Sequence, residues 1–203
     1  DNTLLLFLSD NGGCAEPYKD LGGGKFSDIN NPNISGAVRY GQGWANASNT
    51  PFRKFKVFSH EGGISTPVIV HWPGGLKTSP GSITDTPAQL IDLMPTILDV
   101  TGAKYPNTFS GNRIHPLEGV SLASTLAGRQ RRPAEWMYWE HAGHATVRHG
   151  EYKALLPRGA KKWELYDLST DRQELENLAD DMPNKASAMA KQWGAWTRKH
   201  GVR

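Results

Sequence analysis

The segment Leu4-Leu5-Leu6-Phe7-Leu8 is apolar without alternation and stops at Ser9-Asp10-Asn11-Gly12-Gly13. An unbroken apolar run bounded by turn residues predicts a strand buried on both faces, of the kind found in parallel or mixed sheets. Thr66 to Trp72 predicts a second strand, ended by Pro73-Gly74-Gly75. Between the two, Cys14 to Asn49 is rich in Gly, Asn and polar residues with no sustained period, which predicts a long loop. Leu90, Ile91, Met94, Ile97 and Leu98 recur at helical spacing and predict a helix from Pro87 to Val100. Thr86 is its expected N-cap, with Pro87 at the first helical position and Gln89 completing a capping box. Gly102 stops it, and Pro95 inside the pattern predicts a kink.

The texture changes after Pro133. A short helix is expected around Ser121 to Leu126. Beyond it, Met137 to Glu140, Ala145 to Arg148, Tyr152 to Leu156 and Glu164 to Leu168 predict short strands. Ala186, Met189, Trp193 and Trp196 then line one face of a terminal helix that Gly201 ends, so these tryptophans are expected in the core. The pattern divides the chain at residues 1–132, a sheet-and-helix portion, and 133–203, a small antiparallel sheet with one helix.

The 203 residues are enough to bury a core without a disulfide, and the lone Cys14 forms none within the chain. Lys plus Arg exceed Asp plus Glu by only three, and the basic residues are scattered, which argues against a nucleic-acid partner. Arg129, Arg131 and Arg132 make the one basic run, read as a solvated loop. The apolar run Leu4–Leu8 is too short to span a membrane, and no signal-peptide pattern is visible in these residues. So abrupt an opening on a buried-looking strand leads us to expect a piece of something longer.

Two clusters carry candidate chemistry. Asp10 and Asn11 follow the first strand directly, and loops at the carboxyl ends of strands carry ligands in open α/β sheets. Carboxylate and amide oxygens are hard donors suited to calcium or magnesium; the same three residues, Asp10-Asn11-Gly12, also make an ordinary turn. In the second cluster, from Pro51 to Pro67, alternation puts Lys54 and Lys56 on one strand face, either to hold an anion or as solvated lysines.

Taken together these segments resemble the sulfatase family. Ser9-Asp10-Asn11-Gly12 is similar to the family's second metal-ligand motif. Lys56, five residues before Glu61-Gly62-Gly63, stands where the family keeps its sulfate-binding lysine. Three more stretches match in order: Leu90-Ile91-Asp92-Leu93-Met94-Pro95-Thr96 with Gly102; Leu117 to Leu122; and Glu164-Leu165-Tyr166-Asp167-Leu168 with Asp171, Glu174, Asn177 and Leu178.

The resemblance implies an alkaline-phosphatase-like α/β fold, represented here by the C-terminal part of its large mixed sheet, a small antiparallel sheet and a terminal helix. It implies sulfate-ester hydrolysis by a formylglycine with a divalent metal, calcium or magnesium. Asp10 and Asn11 would be metal ligands and Lys56 a sulfate contact. The substrate would be a small sulfate ester or a sulfated glycan, and the compartment periplasmic, secreted or lysosomal. The nucleophile motif is absent: Cys14 leads into Ala15-Glu16-Pro17-Tyr18 with no Arg in register. The expectation is therefore a half site that is inactive alone and needs the N-terminal part of its own chain. A related metal-dependent phosphatase or phosphonate hydrolase, and a non-catalytic carbohydrate-binding module, are the alternatives. His60, His141 and His144 receive no role. Asn33-Ile34-Ser35 and Asn46-Ala47-Ser48 fit the glycosylation sequon.

Overall fold

A computed structural model describes residues 2–15 and 41–202. The sequon at Asn33 lies outside them. The chain forms two compact units: Asp1–Phe7 with Ile69–Glu135, and Leu8–Val68 with Trp136–Arg203. Among the described residues no helix is long and apolar enough to cross a membrane.

In the first unit, β1 (Leu5–Leu8) pairs with β2 (Val68–His71) as a two-stranded sheet. Contrary to expectation, β1 is not buried on both faces: Phe7 is 66% and Leu5 51% exposed. A strand is covered on both faces only where other layers flank its sheet, and none of the described elements lies over this side of β1.

The predicted helix starts later than its pattern suggested. A 3₁₀ turn at Leu90–Asp92 precedes α3 (Leu93–Thr101), and Gln89, not Thr86, is the cap of a Gln89/Asp92 capping box. This places Pro95 in the first turn of α3, where its missing N–H is not needed, so the helix runs on unbroken. Gly102 ends it at φ 71°. A hairpin of β3 (Thr108–Phe109) and β4 (Asn112–Arg113) and the short α4 (Ala123–Leu126) complete the unit.

Its anchor is Asp92. One carboxylate oxygen accepts from Val120 N (2.7 Å); the other accepts from Gln89 N (2.9 Å) and from Arg131 (2.5 Å). Arg131 also donates to the carbonyls of Pro87, Val120 and Ser121. Thus Arg131, expected in a solvated loop, is a buried clamp, because its fork satisfies a carboxylate and three carbonyls at once.

In the second unit, β5 (Trp136–His141), β6 (His144–His149), β7 (Tyr152–Leu156) and β8 (Glu164–Asp167) form an antiparallel meander in the order β5-β6-β7-β8. Val147, Ala154 and Leu165 point to α5 (Pro183–His200), where they enclose Ala186 and Met189 with Trp136, Tyr138 and Trp193. Each such fully buried large apolar side chain contributes roughly 1.5–3 kcal/mol. Trp196 stacks on Tyr138 at 5.0 Å, so Trp193 and Trp196 pack as expected. Strand alternation sends Thr146, Lys153, Glu164 and Tyr166 to the opposite face.

That face receives the segment after α1 (Gly41–Asn49), a helix lying where the long loop was expected. With two glycines, three Asn or Ser residues and one buried side chain, Ala45, the helix has too weak an apolar stripe to be seen as a period.

Candidate active site

Lys54 and Lys56 do not share a strand face, because Arg53 to His60 is irregular backbone rather than a strand. Two residues of this loop, Lys54 (φ 68°) and Val57 (φ 85°), adopt the left-handed region. Such conformations cost about 1–3 kcal/mol each and persist only where surroundings impose them. Here aromatic packing surrounds them. Phe55 and Phe58 meet edge-to-face at 5.3 Å, Lys54 Nζ sits 5.1 Å from the centre of the Phe58 ring, and the His144 ring lies 5.1 Å from Phe58. Lys54 is thereby engaged with an aromatic ring, and Lys56 occupies the following turn.

The structure joins this loop to the Asp10-Asn11 turn by main chain. Gly12 N donates to Gly63 O (2.9 Å) and Lys56 N donates to Gly13 O (3.0 Å). Asn49 bridges them, accepting from Gly13 N (2.9 Å) and donating to Lys54 O (3.0 Å). The approach is so close that a Cβ on Gly12 would sit 1.8 Å from Gly62 O, and one on Gly63 1.9 Å from Phe58 O. Only glycine fits at either point.

Asp10 is exposed, and Asn11 is half-buried. Asn11 Nδ2 donates to Gly12 O (2.8 Å), which occupies the nitrogen end of the amide within its own turn. A carboxylate and an amide oxygen on adjacent residues suit calcium or magnesium, yet calcium takes six to eight oxygens. Among the described residues no group of three or more His, Cys, Asp or Glu could hold a metal. The donor set therefore fits a hard cation as a partial one.

Beneath Gly62 and Gly63 lies a buried charge cluster that the sequence did not reveal. α2 (Glu61–Ile64) begins at Glu61, whose carboxylate accepts from Lys153 Nζ at 2.8 Å. Lys153 also forms an ion pair with Glu174 at 2.8 Å, and Glu174 accepts from the Glu61 N–H at 2.8 Å. Burial by itself would raise the Glu61 pKa. The charge and hydrogen bond of Lys153, with Arg148 and Arg172, outweigh that and hold it below the ordinary carboxylate value. Nothing local in Tyr-Lys-Ala-Leu-Leu announces two buried carboxylates facing its lysine.

A second polar group flanks the loop. His60 is buried, with Nε2 at 3.7 Å from Glu164. Tyr166 donates to Glu164 (2.9 Å) and accepts from Arg53 (2.8 Å). His60, then Tyr166 and Arg53, hold Glu164 below its ordinary pKa against the effect of burial. Burial, then Glu164, pushes the Tyr166 phenol up, so both keep the protonation state their contacts need. Burial first, then His60, His141 and Arg158, depresses His144, which accepts from Arg158 N (3.2 Å) and is neutral near pH 7. His141, by contrast, is exposed at the end of β5.

The family described as N-sulphoglucosamine sulphohydrolase, C-terminal, matches residues 52–194, well over half of the chain. The chain belongs to the sulfatase family.

Its likeness to individual sulfatases runs along its whole length. An uncharacterized sulfatase of Schizosaccharomyces pombe is 32% identical over 219 aligned residues, covering 100% of this chain and 39% of the relative. Bovine arylsulfatase A is 32% identical over 211, covering 91% and 35%. This sulfatase-family chain thus spans less than two fifths of the length of these relatives. A solved structure from work on glycosaminoglycan metabolism by Bacteroides thetaiotaomicron superimposes with a TM-score of 0.66 at 21% identity, over 96% of this chain and 38% of that one. The structure titled Ps i-CgsB gives 0.65 at 22%, over 97% and 36%. The fold is the alkaline-phosphatase-like α/β fold of sulfatases, and the chain corresponds to its C-terminal portion.

Proposed function

We propose that this chain is the C-terminal portion of an enzyme that hydrolyses sulfate esters, with Asp10 and Asn11 as metal ligands and Lys56 as a sulfate contact. The observation that supports the reading is the main-chain stitch of Gly12 to Gly63 and Gly13 to Lys56, which holds the segments bearing the hard oxygen donors and the lysine side by side. A formylglycine on the N-terminal part of the full-length protein would supply the nucleophile, and a bound divalent cation would act as Lewis acid on a sulfate oxygen.

The residues of this chain do the rest. Asp10 would provide the one full negative charge of the pair and Asn11 a neutral oxygen, so less of a bound cation's field would be cancelled at the sulfate. Lys56, with a reference pKa of about 10.4 for its side chain type, holds a sulfate oxygen and stabilises charge that builds as the ester bond breaks. Lys54, already over Phe58, serves the loop's shape rather than the anion. Simple aryl sulfates are the first substrates to test and sulfated sugars the second.

In the full-length protein, Asp10→Ala should lower calcium content and aryl-sulfate turnover together, because one lost oxygen leaves the cation under-coordinated. Unchanged calcium content with unchanged turnover would remove Asp10 from the site.

A further inference from the structure

Glu174 stands in an unusual position for a carboxylate. It is fully buried, its backbone is left-handed at φ 57°, and it lies 113 residues from Glu61, whose N–H it accepts. Burying a charge and holding a non-glycine residue in the left-handed region both cost free energy. Lys153 offsets the first cost by lying 2.8 Å from both Glu174 and Glu61. What the arrangement accomplishes is local. The Glu61 N–H opens the turn of α2, and within that turn Gly62 N donates to Arg53 O, while Gly63 O accepts from Gly12 N. The next link is Gly13 O, which accepts from Lys56 N. A continuous path of hydrogen bonds and covalent bonds therefore runs from Glu174 through Glu61 and the paired glycines to Asn11 and Lys56.

We propose that Glu174, backed by Lys153, is a positioning residue for the sulfate site: by gripping the Glu61 N–H it fixes the height of the glycine turn on which the Asp10-Asn11 turn and the Lys56 loop both rest. The proposal rests on the sulfatase reading for its kinetic consequence only, since the positioning itself is a property of this fold. The grip depends on an acceptor at the right distance and not on charge. Gln at this position can keep an oxygen on the Glu61 N–H; its NH2 then replaces the oxygen that faces Lys153, which stays paired with Glu61.

The test compares Glu174→Gln, Glu174→Asp and Glu174→Leu with the wild type in the full-length protein. Two readouts are taken at a temperature where circular dichroism shows each variant folded. Amide hydrogen exchange separates a local role from a general one. In Glu174→Leu, the Gly12, Gly63 and Lys56 amides should exchange at least about tenfold faster, while the Ala154 and Leu165 amides of the sheet keep their protection. Glu174→Asp, with its carboxylate drawn back by one methylene, should behave in the same way, and it serves in place of Leu should that variant not fold. Glu174→Gln, whose oxygen still meets the Glu61 N–H, should keep wild-type exchange at the Gly12, Gly63 and Lys56 amides, the lost Lys153 contact showing only as lower overall stability. In turnover, kcat should fall about tenfold for Leu or Asp, the calcium concentration for half-maximal rate should rise, and Gln should stay within about threefold of wild type. Equal exchange at the site and sheet amides, or wild-type exchange in both Leu and Asp, would overturn the positioning role. If the wild type hydrolyses no sulfate ester, the functional reading fails while the exchange result still decides the positioning one.

Discussion

A methyl group added at Gly12 tests how tightly the two site segments are joined. Its Cβ would lie 1.8 Å from Gly62 O, 2.9 Å from Gly62 C and 3.1 Å from Asn49 Nδ2. Reaching an ordinary contact of about 3.5 Å means parting the segments by about 1.7 Å, which breaks Gly12 N to Gly63 O and strains Lys56 N to Gly13 O. Two hydrogen bonds at about 1 kcal/mol each, plus about 1–3 kcal/mol for a buried donor left unmet, give a loss of about 3–5 kcal/mol for Gly12→Ala. Gly194→Ala is the control: it sits inside α5, and its Cβ would meet only Arg198 at 3.6 Å. Relief of helix-interior glycine entropy should make that variant about 0.5–1 kcal/mol more stable. Six of the seven tryptophans belong to the second unit, so denaturation followed by their fluorescence reports the unit that holds Gly12. A Gly12→Ala midpoint within about 0.5 kcal/mol of wild type would refute the close-approach argument.

The buried charges give further tests. Lys153→Met should destabilise the second unit by about 3–5 kcal/mol in urea denaturation, because it strands two buried carboxylates. Glu61 has a folded pKa below its ordinary value near 4.5, so its contribution is complete above about pH 4.5 and fades as pH falls through the folded value. Urea midpoints should drop across that acid window in the wild type; in Lys153→Met burial would instead raise Glu61, and the Glu61 contribution should reverse sign. In the first unit, Arg131→Met should cost about 3–5 kcal/mol by leaving Asp92 buried and unpaired, read as lost protection of the α3 amides. Arg129→Met and Arg132→Met, with exposed side chains, should change that protection little.

The antiparallel meander was legible because period-two patterning and the turns at His149-Gly150 and Arg158-Gly159 act locally. The terminal helix was legible for the same kind of reason, since Ala186 and Met189 bury against one sheet face. Where sequence reading failed, a distant group had decided the matter. The Lys54–Lys56 alternation looked like a strand, but Lys54 and Val57 are left-handed and the loop's Phe58 packs on His144, distant in the sequence. Arg131 looked solvated because its carboxylate, Asp92, lies 39 residues away. Lys153 fell inside a predicted strand without a role, because its partners Glu61 and Glu174 approach from far along the chain. Asp10, Asn11 and Lys56 were singled out by motif order, and the structure brings their two segments together through Gly12, Gly13 and Gly63.

Most directly, the account is tested by comparing Lys56→Ala with Lys54→Ala in the full-length protein, by kcat/KM for an aryl sulfate, with thermal melts to confirm folding. Both substitutions remove one positive charge from the same loop, so a general loss of field would weaken them alike. The account predicts a fall of about 10²–10³ for Lys56→Ala, the size expected when one donor to a developing oxyanion is removed. For Lys54→Ala, whose ammonium lies over Phe58, it predicts a much smaller fall. Equal small losses in both, or a larger loss for Lys54→Ala, would contradict it.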